Sequence, residues 1–152
     1  VFSLFKEMDY SGAMESLAGV FPYLAFLLSV FSALRLAKFN NDTRQTSSFV
    51  GLPVPANALF WASLVTGAHD WLVSSNFHPV YLLLLVCLFS WLLVSEIPMF
   101  SLKFKNLSWK DNKTSFIFLL VCIPFLIFLG ICSFSAIIVW YILLSLITRK
   151  SK

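Results

Sequence analysis

Arg35 and Lys38 stand three residues apart near the end of a long apolar run, within SALRLAKFNNDTRQ from Ser32 to Gln45. At helical spacing they are neighbours on one surface. A planar guanidinium beside a point-charge ammonium can hold a phosphate or a carboxylate. Asn40, Arg44 and Gln45 follow with further polar groups, and Arg35, Lys38, Asn40 and Arg44 are the candidate binding set for an anionic head group. The same two cations also read as anchors that snorkel to a membrane interface, and chemistry alone leans that way. The next segment, GLPVPANALFWASL from Gly51 to Leu64, has a glycine and two prolines that stiffen the entry to a helix.

No other constellation points to chemistry. His69 and His78 share a short loop with Asp70, too few ligands for a metal site. Cys87, Cys122 and Cys132 lie in apolar runs without C-x-x-C spacing and read as packing residues with no disulfide. The glycosylation-type triplets at Asn41, Asn106 and Asn112 fall in loops assigned below to the cytoplasm, where the pattern has no use. Trp71, Trp91, Trp109, Trp140 and Tyr141 lie mostly near segment ends, as interfacial anchors do.

The elements that position the basic pair follow from composition. With 59% hydrophobic and 12% charged residues in 152, the chain lies outside the range of a soluble domain, and its mean hydropathy of +0.87 agrees. The opening VFSLF reads as the end of a preceding helix, which places the natural start upstream of Val1. Five apolar segments follow: Leu17 to Phe39, Pro55 to Ala68, Val80 to Ser95, Phe116 to Leu129 and Ala136 to Ile147. The last two come from one uncharged run, Ser115 to Thr148, which as a single helix would reach ~51 Å and overshoot a hydrocarbon core of ~30 Å. GICSFS, Gly130 to Ser135, is its weakest helical stretch and is where the run should turn back. The expected fold is all-α: a polytopic transmembrane helical bundle of about five crossings in one domain spanning 1–152.

The loops test this division. Taken in order, the hydrophilic segments alternate between basic and non-basic: Lys6 alone, then Arg35, Lys38 and Arg44, then none, then Lys103, Lys105, Lys110 and Lys113, then none, then Arg149, Lys150 and Lys152. These are all 11 basic residues. The Arg35 to Phe49 loop, the Lys103 to Lys113 loop and the C-terminus are therefore expected in the cytoplasm. The net charge of +4 is topological and supports no nucleic-acid partner.

RLAKFNNDTRQTSSFVGLPVPANALFWASL, Arg35 to Leu64, resembles the corresponding stretch of bacterial CDP-diacylglycerol-serine O-phosphatidyltransferases, especially the form seen in Bacteroidetes. In that family a helix ending in R-L-[AS]-[KR]-F-N precedes a cytoplasmic loop and G-[LM]-P-x-P, and both elements stand here at Arg35 to Asn40 and Gly51 to Pro55. The resemblance implies a CDP-alcohol phosphatidyltransferase: a helical, homodimeric enzyme of the inner membrane with its active site at the cytoplasmic face. It implies CDP-diacylglycerol and L-serine as substrates, and a divalent metal, Mg2+ or Mn2+. The family's signature, D-x2-D-G-x2-A-R-x8-G-x3-D-x3-D, is absent: Asp9, Asp42, Asp70 and Asp111 include no D-G pair. No catalytic base or metal ligand is assigned within these residues, and the ligands are expected upstream of residue 1.

Three alternatives stand beside this expectation: a relative with another head group, a transporter fragment, and a membrane scaffold without catalysis. Acidic, basic and histidine side chains are absent from Leu17 to Leu34, Val80 to Ser95 and Ser115 to Thr148, and no internal repeat is visible, which argues against a transporter.

Overall fold

The computed structural model describes residues 1–10, 12–41, 49–74, 77–99 and 113–149. Arg44, Gln45, Lys103, Lys105, Lys110 and residues 150–152 lie outside them. The described elements in order are α1 (Phe2–Glu7), a 3-10 turn (Gly12–Leu17), α2 (Phe21–Leu24), α3 (Phe26–Asn41), β1 (Phe49–Val50), α4 (Val54–Gly67), α5 (His69–Val73), α6 (Pro79–Val94), β2 (Pro98–Met99), α7 (Lys113–Leu129), a second 3-10 turn (Gly130–Cys132) and α8 (Ser133–Arg149). The fold is all-α, with one short antiparallel strand pair in which Phe49 faces Met99 and Val50 faces Pro98.

Prolines set the helix starts. Pro22, Pro55 and Pro79 each occupy the first or second helical position, where a missing N–H costs nothing and the fixed φ is already helical. This corrects one boundary: the segment expected from Leu17 is regular helix only from Phe21, because Leu17 closes a 3-10 turn. All five expected segments fall on helices.

Length and hydropathy give fewer crossings than the five expected. Two stretches are long and apolar enough to cross a membrane: Phe21–Asn41, 21 residues, and Lys113–Thr148, 36 residues. With 14 and 16 residues, α4 and α6 reach about 21 and 24 Å, short of a ~30 Å core on their own.

The longer stretch turns back where the composition is weakest. The ring centroids of Phe118 and Tyr141 are 6.1 Å apart, whereas a straight helix would separate these residues by about 34 Å. Gly130, at φ +54 in the left-handed region, starts the turn, and Ser133 Oγ donates to its carbonyl at 2.5 Å. So α7 and α8 form a helical hairpin.

Lipid tails are as apolar as leucine, so helices that pack in a bilayer rely on close approach and interhelical hydrogen bonds. Both occur here. A Cβ on Gly67 would lie 2.5 Å from Cys132 Sγ and 3.0 Å from its backbone nitrogen, so glycine lets the end of α4 meet the hairpin turn. The hydroxyls of Ser63 on α4 and Ser135 on α8 are hydrogen-bonded, and Ser135 Oγ also donates to the Phe60 carbonyl at 2.9 Å. Phe60 and Phe89 stack at 4.0 Å and tie α4 to α6.

The outer surface is apolar. Phe128, Ile127 and Leu120 are 82, 72 and 66% exposed, and α6 and α7 carry large apolar side chains on their exposed faces as well as their buried ones. A helix apolar all round is matched to a lipid or protein interior rather than to water.

Candidate functional site

The two halves of the motif read from the sequence meet at one end of the bundle. The C-terminal end of α3, the start of α4, the end of α6 and the strand pair gather there, while Gly67 and the Gly130–Cys132 turn lie together at the other end.

A helix ends with carbonyls that have no intrahelical donor, and the end of α6 is served by its neighbours. The Leu52 N–H donates to the Leu92 carbonyl at 3.0 Å, and the Gly51 N–H donates to the Ile97 carbonyl at 2.8 Å just beyond the helix. Ser95 Oγ donates to the Leu92 carbonyl at 2.9 Å. Lys38 Nζ donates to the Val94 carbonyl at 3.2 Å and pairs with Glu96 Oε1 at 3.2 Å. A cation at a helix C-terminus also meets the negative end of the helix dipole.

Gly51 is required by this approach. Its φ is +78, and an added Cβ would lie 2.7 Å from the Ser95 carbonyl oxygen and 3.0 Å from that of Leu93. Both the left-handed backbone and the contact exclude a side chain. Pro53 and Pro55 then direct the chain into α4, whose first turn faces the end of α3.

Arg35 is buried, 4% exposed, although it lies on a helix with an apolar outer surface. Its Nε donates to the Leu52 carbonyl at 3.4 Å, a long hydrogen bond. Its guanidinium carbon lies 5.7 Å from the Phe39 ring centroid, within cation–π range. Beside it is a cavity of about 310 Å³ lined by Arg35, Leu36, Phe39, Pro53, Val54 and Pro55. Arg35 is the one basic residue in its lining, and the cavity surface is almost wholly apolar, which suits the hydrocarbon body of a ligand.

The four expected binding residues thus have different placements. Arg35 lines the cavity, and Lys38, one turn further along α3, faces the end of α6. Asn40 is exposed and is not among the cavity-lining residues. Arg44 lies outside the described residues.

Two residues that sequence reasoning passed over belong to the same region. Glu96 holds Lys38, and its signal was its position: an acid two residues beyond an apolar helix. Asn57, 5% exposed, lies one turn beyond Pro53 on α4, and its Oδ1 has no hydrogen-bond partner among the described residues. An amide side chain in a helix whose other polar side chains are the hydroxyls of Ser63 and Thr66 was the signal there. The described residues contain no group of three His, Cys, Asp or Glu able to hold a metal ion, so they do not by themselves fit the divalent ion that the resemblance implies.

No protein-family model, curated protein or solved structure matches the chain.

Proposed function

We propose that the chain is part of a membrane enzyme of phospholipid synthesis, a CDP-alcohol phosphatidyltransferase that transfers the phosphatidyl group from CDP-diacylglycerol to L-serine. The observation that carries this reading is the meeting of the R-L-A-K-F-N and G-L-P-V-P elements beside an apolar cavity, with Arg35 in its wall. An almost wholly apolar slot suits the hydrocarbon body of a lipid, and the buried arginine beside it is the nearest cation for a phosphate at the lipid's end. In the reaction, the serine hydroxyl oxygen attacks the β-phosphorus, the bond from that phosphorus to the CMP oxygen breaks, and CMP leaves as phosphatidylserine forms. A divalent metal, Mg2+ or Mn2+, would neutralise the pyrophosphate when bound; its ligands and the base are expected upstream of residue 1. Within the described residues, Arg35 binds the anionic end, and the Gly51–Pro55 segment fixes the position of the cavity wall.

In this reading α3, α4, α6, α7 and α8 all cross the inner membrane, and the short α4 and α6 are completed by their flanking residues. The end carrying Lys38, the strand pair and Glu96 faces the cytoplasm, in accord with the basic loops. Gly67 and the hairpin turn face the other side. The outer faces contact lipid, and the enzyme works as a homodimer.

The upstream coding sequence tests the reading. It should contain the D-G-x2-A-R and paired-aspartate signature on apolar helices; an open frame that lacks it removes the enzyme proposal and leaves the fold.

A further inference from the structure

Each leg of the helical hairpin is bounded at both ends. Between Lys113 and the turn that opens at Gly130 lies α7, and between that turn and Arg149 lies α8. Both legs have 17 residues, a rise of about 25 Å. A basic residue resists entry into hydrocarbon, and the turn ends the regular helix, so neither leg can lengthen. The other helices agree. From its cap at His78 to Val94, α6 has 16 residues and rises about 24 Å. The part of the first long stretch from Phe21 to the first cation inside the α3 end, Arg35 being buried, is Phe21 to Lys38, about 26 Å as helix. With 14 residues α4 is shorter still.

Between these ends the outward side chains are hydrocarbon. Val30 and Leu34 on α3, Leu84 and Leu88 on α6, and Leu120 and Ile123 on α7 are all exposed. The apolar band they form is as tall as the helices that carry it, a few ångströms less than a hydrocarbon core of ~30 Å. Tilting a helix lowers the height it spans, so tilt cannot make up the difference; the remaining adjustment is in the lipid, at a cost of fractions of a kcal/mol per Å of mismatch. We propose that this outer face is an interaction surface for a thin bilayer, one with a hydrocarbon core of about 25 Å, and that in a thicker membrane the protein compresses the lipid around it. The inference rests on the crossings in the reading above and not on its chemistry.

Trp71 and Trp91 are exposed on the outer surface and report on the lipid beside them. The test is quenching of tryptophan fluorescence in the full-length protein, reconstituted with a brominated phosphatidylcholine in competition with unbrominated ones of different chain length. Dimyristoleoyl or dipalmitoleoyl phosphatidylcholine should compete best, dioleoyl less well, and dierucoyl at least about twofold worse than the best. A best competitor with oleoyl or longer chains, or competition that does not depend on chain length, overturns the inference. Fluorescence that the brominated lipid does not quench means that protein rather than lipid covers this face, and overturns it as well. The crossings are read separately, from membrane-impermeant maleimide labelling of His78→Cys and Glu96→Cys, at the two ends of α6, in sealed vesicles of one orientation and against the background of the native cysteines. When the two label from opposite sides the crossing stands, and a long-chain preference then removes the thin-bilayer match alone. When both label from one side, the crossing and the inference fall together.

Discussion

Arg35 Nε donates to the Leu52 carbonyl at 3.4 Å, linking the last turns of α3 to the segment that enters α4. Residues 17 apart in sequence are thereby held together beside the cavity, which Arg35 and Pro53 line. Replacing Arg35 with alanine removes the cation from that wall. On the proposed function, the expected result is a fall of about 10- to 100-fold in kcat/KM for CDP-diacylglycerol in the full-length protein. Arg35→Lys should recover little, because an ammonium lacks the planar fork. Steady-state kinetics on the three proteins check this.

Gly51 makes a prediction about stability. Alanine there meets the Ser95 carbonyl at 2.7 Å on a backbone with φ +78. Gly51→Ala should destabilise by about 1–3 kcal/mol, seen as a lower midpoint of thermal unfolding in detergent. Gly19→Ala, where no atom lies within 4 Å of the new Cβ, is the control and should cost no stability through contact.

The fold was legible where composition sets local geometry. Prolines marked the starts of α4 and α6, and the glycine and serines of GICSFS marked the hairpin turn, each through a backbone preference that a sequence displays directly. The helix boundary near Leu17 was not, because apolar residues continue smoothly through the 3-10 turn and only Pro22 marks the helix start. At the site, Arg35 and Lys38 stood out because a cation in an apolar run is conspicuous. Their different placements were hidden, since Lys38 meets Glu96 across 58 residues and that register depends on how α3 packs on α6. Asn40 follows the pair in sequence without sharing its helical spacing, and it is exposed.

The contact between α4 and the hairpin turn predicts a coupling. Gly67→Ala places a Cβ against Cys132, and Cys132→Ala removes the nearer obstacle, the sulfur. A double-mutant cycle should show the pair less destabilised than the sum of the single changes, by about 0.5–3 kcal/mol. Strict additivity in unfolding measurements would place Gly67 and Cys132 apart.

Asn57 predicts a conflict between stability and function. Its buried Oδ1 has no partner among the described residues, and an unmet buried acceptor costs about 1–3 kcal/mol. Asn57→Leu should therefore raise the unfolding midpoint while lowering the proposed transferase activity, since a residue that costs stability so near the cavity is expected to serve a ligand. Thermal unfolding and turnover, measured on the same preparation, check both halves.

The proposed function is phosphatidyl transfer to serine. The most direct measurement is the incorporation of labelled L-serine into lipid by the full-length protein, reconstituted with CDP-diacylglycerol and Mg2+ or Mn2+. The account predicts phosphatidylserine and CMP in equal amounts, with the rate falling sharply in Arg35→Ala. Folded protein that releases no CMP in the presence of serine and either metal would contradict it.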